Sequence, residues 1–292
     1  MKQKKRVLQF TNLYLAFTEA TEKEDKETLN MIEDFINEYQ PNLCIFTGNQ
    51  IYAEDNEKSL ALYQSFLEFM NRFDIKIATT FGNRDAVSHD MKSELRKMET
   101  KISKNYIEKH YSKVVNHKEA YVIEIKEQDT LLHQHYMIDN GIDGVIDQAH
   151  ISWLKDVHKA TLDQYGYVPQ YNFIFSHKPI IEIENVMRNM TAHNNDVSNS
   201  EQLLSLIKEL GNFDGAFYGN VYDNDFSGNY QGIDLNSGRT SGFSLYTNLA
   251  PGARLIELDD GKKYTHCIVE SKEDDADELL SEAQLMEEIY NL

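Results

Sequence analysis

Five short blocks hold the side chains of this sequence that could act together at one site. They are Thr11-Asn12-Leu13-Tyr14, Thr47-Gly48-Asn49-Gln50, Thr80-Phe81-Gly82-Asn83-Arg84-Asp85, Ser176-His177-Lys178-Pro179 and Gly219-Asn220-Val221-Tyr222. Each directly follows a short apolar run that reads as a strand, and loops at strand ends are where binding and catalytic groups collect. The third block closes on a tight Gly-Asn turn, and the other four are expected to lie beside it. Its chemistry is that of amides (Asn12, Asn49, Asn83, Asn220), phenols (Tyr14, Tyr222), one imidazole (His177) and one guanidinium (Arg84). Such a set suits anion binding, with Arg84 as the cation and His177 and Asn49 as hydrogen-bonding partners to a phosphate or carboxylate. The alternative for Arg84 is pairing with Asp85 or another local carboxylate. For Tyr14 and Tyr222 it is packing with locally satisfied hydroxyls, and for His177 a purely structural place.

The elements that must position these blocks are legible from periodicity. Arg6–Phe10, Leu43–Thr47 and Ile75–Thr80 read as strands. Between them, Leu29, Ile32, Phe35, Ile36 and Tyr39, then Leu60, Tyr63, Phe66, Leu67, Met70 and Phe73, recur at helical spacing. This is a βαβαβ unit with right-handed crossovers. Asp90 to about His110 reads as a charged amphipathic helix. Ala120–Ile125 and Leu131–Ile138 then read as neighbouring strands of a second sheet, turning near Gln128-Asp129. Gln148 to Tyr165 is a helix with Ile151, Leu154, Val157 and His158 inward. Phe173–Phe175 and Gly215–Tyr218 are strands around a helix over Gln202–Leu210, which Ser198 or Ser200 would cap. Gly242–Tyr246, Arg254–Leu258 and Tyr264–Val269 read as short β runs. A last acidic helix carries Leu279, Leu280, Ala283, Met286, Ile289 and Tyr290 on one stripe. The expected division is one unit over residues 1–270 with this helix, residues 271–292, as part of the same unit.

Composition excludes several classes. With 292 residues, 41% of them hydrophobic, the chain can bury a sizeable core. A net charge of -19 disfavours nucleic acid or an anionic membrane as partner, because phosphate contacts need clustered Lys and Arg. No run is apolar enough to span a bilayer, and the basic Lys2–Arg6 stretch lacks the pattern of a signal peptide, so a cytoplasmic protein is expected. Cys44 and Cys267 lie in apolar runs and read as small core hydrophobes. The acidic run 273–278 lacks the glycine of a calcium loop. His133 and His135 share a strand face, with His110 and His117 upstream, yet nothing completes a zinc set. A nucleophile elbow and a glycine-rich phosphate loop are both missing from the sequence.

Taken in order, the five blocks resemble those of the calcineurin-like metallophosphoesterases, whose motifs have the forms D-x-H, G-D, G-N-H-[DE], a lone His after an apolar strand, and G-H-x-H. Here they read Asn12-Leu13-Tyr14, Gly48-Asn49, Gly82-Asn83-Arg84-Asp85, His177 and Gly219-Asn220-Val221-Tyr222. Further similarity lies in Asp223–Gly228 and Gly252–Leu258. The resemblance implies an α/β (α+β) fold: a β-sandwich of two mixed sheets flanked by helices, with two divalent metal ions and a bridging hydroxide held by the loops. It also implies that most ligands are gone. Asn12 and Tyr14 stand at the first Asp and His, Asn49 at the metal-bridging Asp, Arg84 at the catalytic His, and Asn220 and Tyr222 at the last two His. Only Asn83 and His177 match. Two divalent ions need carboxylates to offset their charge, amides are weaker ligands, and Arg84 brings a fixed positive charge.

The expected protein is therefore a catalytically inactive, degenerate phosphoesterase that takes no metal cofactor and binds another protein or a second copy of itself. The alternatives are a binder of a small phosphate-containing anion at the vacated cleft, and an active phosphoesterase with an atypical metal on His177 and Asn83.

Overall fold

Apolar runs without polar alternates need cover on both faces, and in this chain they form the centres of two stacked sheets. The computed structural model describes residues 4–180, 201–245, 247–259 and 264–272. Along the chain come β1 (Lys5–Phe10), α1 (Glu22–Tyr39), β2 (Leu43–Thr47), α2 (Asn56–Met70), β3 (Lys76–Thr80) and α3 (His89–Ile102). There follow β4 (His110–Val115), β5 (Lys118–Glu127), β6 (Thr130–Ile138), α4 (Gln148–Tyr165), β7 (Asn172–Ser176), α5 (Glu201–Leu210) and β8 (Phe213–Tyr218). The last elements are β9 (Ser227–Tyr230), β10 (Ile233–Ser237), β11 (Gly252–Leu258) and β12 (Tyr264–Glu270).

One sheet has the order β12-β11-β1-β2-β3 and the other β4-β5-β6-β7-β8-β10-β9. Both are mixed: β1, β2, β3 and β12 run one way with β11 antiparallel between β1 and β12, and β4, β6, β7, β8 and β10 run one way with β5 and β9 antiparallel. Alternation along each strand builds the layers. On β2, Leu43 and Ile45 point into the inter-sheet core with Val7, Ala78, Phe173 and Phe175, while Cys44 and Phe46 point outward against Phe35 of α1 and Phe66 of α2. The outer face of the second sheet is covered by α4 and α5 through Leu154, Val157, Leu203 and Ile207. This is the expected sandwich of two mixed sheets flanked by helices. Among the described residues no helix is long and apolar enough to cross a membrane.

Several sequence expectations need correction. The helix expected to reach His110 ends at Ile102, because the backbone of β3 recruits the next segment. Ile77 N–H donates to Asn105 O (3.0 Å) and Ile107 N–H to Ile77 O (3.0 Å). His110 then opens β4, a strand that periodicity did not give, and β9 and β10 were likewise unread. Residues 242–245 form turns rather than a β run, since Gly242 N–H donates to Asn12 O (3.0 Å) and Phe243 N–H to Thr28 Oγ1 (3.0 Å). Cys44 is buried but Cys267 is exposed, because it sits on the edge strand β12. The capping serines Ser198 and Ser200, the acidic run 273–278 and the stripe from Leu279 to Tyr290 lie outside the described residues.

Buried charge fixes α3, the helix that follows the third block. Lys92 has no exposed surface, and its Nζ lies 2.6 Å from Asp139 Oδ1 at the end of β6, with Arg96 Nη1 3.6 Å from Oδ2. One turn on, Glu99 accepts from Tyr63 OH (2.7 Å) and Thr79 Oγ1 and pairs with Lys109 (3.3 Å). Removing one member of a buried pair leaves the other uncompensated. Lys92→Met should therefore lower unfolding free energy by about 3–5 kcal/mol, read by urea denaturation. A loss below about 1 kcal/mol, the range of an exposed pair, would show that α3 is held by its apolar contacts alone.

Candidate functional site

The five blocks meet at the C-terminal ends of β1, β2, β3, β7 and β8, where the two sheets are stitched together. Asn12 N–H donates to Gly48 O (3.0 Å) and Tyr14 N–H to Asn49 O (3.0 Å), zipping the first two blocks. Between sheets, His177 Nδ1 lies 2.8 Å from Thr47 O, and Gln9 Nε2 donates to both Thr47 Oγ1 and Tyr218 O (3.1 Å each). This close approach requires glycine. A Cβ at Gly48 would lie 2.3 Å from His177 Nδ1, and one at Gly219 would lie 2.2 Å from Thr11 Oγ1. Asn12, Tyr14, Asn49 and Asn220 all adopt left-handed backbone, with φ of 53, 55, 57 and 62°. Asn tolerates this region, whereas Tyr does not do so readily, at a cost on the order of 1–3 kcal/mol.

Beneath the cleft lies an uncharged hydrogen-bond chain. Asn12 and Asn49 are fully buried. Asn49 Nδ2 donates to Asn12 Oδ1 (3.1 Å) and Tyr14 OH (3.0 Å), and its Oδ1 accepts the Arg84 backbone N–H (3.0 Å). The Tyr14 hydroxyl then meets the Tyr222 hydroxyl. Burial, followed by the neighbouring Tyr222, pushes the Tyr14 phenol up, so it stays protonated and available as a donor.

Asp85 does not pair with Arg84. Its carboxylate collects backbone N–H groups from Gly82 (2.6 Å), Asn49 (2.8 Å) and Ile51 (3.1 Å), clamping the second block to the third. Arg84 itself is exposed, and its guanidinium lies 5.6 Å from the centre of the Tyr52 ring, so its charge sits at the rim and only its backbone enters the cleft.

The structure thus joins Asn12, Tyr14, Asn49 and Tyr222 directly, with His177 reached through the Thr47–Gly48 turn. Asn220 is buried at the start of the last block, whereas Asn83 is exposed on its turn. Of the residues expected to receive an anion, Asn49 is committed to internal partners, His177 is fully buried and Arg84 alone is open. Tyr52 and the clamp role of Asp85 were not read from the sequence. Tyr52 follows the second block by two residues, but its ring contacts, 5.9 Å to Tyr14, are purely tertiary.

These donors do not fit a two-metal centre. His177 is the one of them that would suit a metal, since its Nδ1 is turned to a carbonyl and its Nε2 lone pair is buried without a partner. Around it stand amides and phenols, one of which, Asn12, has its Nδ2 donor buried without a partner. Among the described residues no group of three His, Cys, Asp or Glu could hold a metal ion, and His133 is turned to Tyr171 O (2.9 Å) while His135 lies between the Phe173 and Phe175 rings.

Burial gives the site a defined pH response. The His177 imidazole is pushed down from 6.5 to about 4 by burial, and His135 to about 3 for the same reason. Below pH 6.5 the unfolded chain therefore binds more protons than the folded one, and stability is lost as pH falls toward 4. Asp85 opposes this: burial raises it to about 6 despite three N–H donors, so the folded chain holds its proton longer and stability falls as pH rises from about 4 to about 6. Two imidazoles outweigh one carboxyl. The urea midpoint should fall between pH 6.5 and 4, with His177 contributing on the order of 3 kcal/mol, and His177→Gln should flatten the curve. A midpoint that rises on acidification would contradict a buried neutral imidazole. At pH 7, Asp85→Asn puts an amide N–H against backbone donors and should cost about 1–3 kcal/mol; an unchanged midpoint would refute the clamp.

No protein-family model matches the sequence, and no curated protein matches it. Solved structures do. The chain superposes on GAP50, described as the anchor in the inner membrane complex of Plasmodium, with a TM-score of 0.62 at 14% identity, covering 94% of this chain and 87% of that one. It also superposes on a dimetal phosphatase from Danio rerio, with a TM-score of 0.57 at 10% identity, covering 91% and 99%. At such identities the likeness concerns the fold. Two stacked mixed sheets, loops converging at their strand ends and these superpositions show that the chain has the calcineurin-like metallophosphoesterase fold.

Proposed function

We propose that this chain is a degenerate metallophosphoesterase-fold protein, catalytically inactive, that works as a binding or scaffold protein. One observation carries the reading: Asn49, at the position of the family's metal-bridging carboxylate, is a fully buried amide whose oxygen and nitrogen are both taken by cleft neighbours. A site of neutral amides and phenols, with Asp85 turned to backbone N–H groups, offers two divalent ions no compensating charge. Without them no water is acidified to serve as nucleophile. The description of GAP50 as an anchor accords with a non-catalytic use of this fold.

A second reading has its own observation. The Arg84 guanidinium forms no ion pair among the described residues and stands at the cleft rim, which favours binding of an anionic group there.

Elemental mass spectrometry of protein grown with excess Mn, Fe and Zn, with a metal-supplemented assay on p-nitrophenyl phosphate, tests the main reading. Metal well below stoichiometric and no metal-dependent turnover are expected. About two ions per chain, the load of a two-metal site, together with turnover would overturn it. The combined variant Asn12→Asp, Tyr14→His, Asn49→Asp, Arg84→His, Asn220→His and Tyr222→His should recover metal uptake if it folds. A folded variant without uptake would mean that these positions do not correspond to the family's ligands.

A further inference from the structure

The rim of the cleft is an aromatic platform topped by one cation that forms no ion pair among the described residues. Tyr52 and Tyr222 are 37% and 42% exposed, Tyr14 lies buried between them at 5.9 and 6.0 Å between ring centres, and Arg84 stands over Tyr52. Four different loops contribute, and the Tyr14 hydroxyl at its centre is held from below by Asn49. Other described arginines are engaged: Arg6 with Glu257, Arg72 with Glu33, Arg96 with Asp139, Arg239 with Asp225, and Arg254 with the carbonyls of Asp225 and Ser237. Arg84 makes no such pair among the described residues, although the chain carries a net charge of -19 and has carboxylates to spare.

We propose that this rim docks a protein partner through a single Asp or Glu side chain, whose carboxylate receives the Arg84 guanidinium fork while flanking apolar groups lie on Tyr52 and Tyr222. The proposal rests on the inactive, partner-binding reading and names the surface and the chemistry it would use. Tyr and Arg are the residue types that dominate protein–protein hot spots, and a pre-ordered aromatic pair spends little entropy on binding. The surface favours a protein over a metabolite. Asn12 and Asn49, the polar groups beneath the rim, are fully buried, so a small ligand would have only the rim groups to contact. It favours a carboxylate over a phosphoryl group, because phosphate recognition draws on clustered arginines, and this ring cluster holds one cation. The strongly acidic chain also repels a polyanion. The fitting partner surface is neutral or basic around one acidic anchor.

The test uses the full chain. A displayed library of random dodecapeptides is panned at about 0.15 M salt and counter-panned against Arg84→Gln. Enriched sequences are then synthesised with the acidic residue intact, amidated to Asn or Gln, or replaced by phosphoserine. The expected result is peptides sharing an Asp or Glu beside an apolar or aromatic residue. Amidating the peptide or introducing Arg84→Gln should each weaken binding about tenfold, and the two together little further, because they remove the same contact. Tyr52→Ala should also weaken it, and Arg84→Lys, which keeps the charge but loses the fork, should fall between. No enrichment over the counter-panned variant, or enriched peptides whose binding survives amidation, would overturn the proposal. Tighter binding of the phosphoserine peptide, or competition by inorganic phosphate alone, would overturn it in favour of a phosphate ligand. Thermal melting checks that Arg84→Gln stays folded, as its exposed side chain predicts; a collapse on substitution would itself contradict a free rim arginine. Failure here in metal-free, inactive protein leaves the proposed function standing, whereas two bound metals with turnover would remove that function whatever the peptides do.

Discussion

The contact on which the rest of this structure turns is the one between His177 Nδ1 and Thr47 O, made across the joint of the two sheets. It can form only because position 48 lacks a side chain, and it holds the ends of β2 and β7 close enough for Gly219 to pack on Thr11 and Thr47. Once those strand ends are fixed, their loops have little freedom. Asp85 ties the second and third blocks with three backbone hydrogen bonds, and Asn12 and Tyr14 are drawn onto the carbonyls of Gly48 and Asn49. The cleft is thus a set of backbone constraints first and a set of side chains second. Such a frame persists when the side chains change, because its bonds use main-chain groups that every substitution retains.

Electrostatics then decides what the frame can hold. A low-dielectric pocket accommodates either strongly charged ions with compensating carboxylates or a neutral network in which each polar atom finds a neighbour. This chain has the second arrangement: amide to amide to phenol to phenol, with the one nearby carboxylate, Asp85, consumed by N–H donors. Its imperfections mark the same place. Asn12 Nδ2 and His177 Nε2 are buried without partners, and Tyr14 is held in a backbone region that Tyr ordinarily avoids. All three lie in the one cleft where the five blocks meet.

Much of this was legible in the sequence because its signals are local. The runs over Leu43–Thr47 and Phe173–Phe175 announce strands covered on both sides, and the glycines at 48, 82 and 219 mark where each strand ends. The order of the five blocks was enough to bring Asn12, Asn49 and His177 to one cleft. What escaped depends on tertiary partners. The segment after Ile102 turns to serve the edge of β3, which no periodicity in residues 103–109 encodes. Cys267 lies in an apolar run yet faces out, because exposure there follows from β12 being the last strand of its sheet. Arg84 was expected within the vacated metal position, but its neighbour Asp85 takes the interior and turns the guanidinium to the rim.

That exchange between adjacent residues decides where the cation stands. A buried Arg84 would have needed a carboxylate, and the candidate beside it is better satisfied by three amide N–H groups that cost nothing to bring together, since the strand ends already hold them there. The cation is therefore left in water, where the Tyr52 ring steadies it without neutralising it. A charge without an ion pair among the described residues can be compensated by another molecule, and desolvation on docking would strengthen that pairing well beyond its value in water. Closing the cleft with neutral groups and displaying Arg84 above it thus go together: Asp85 takes the backbone donors of the interior, and the guanidinium beside it stays at the rim.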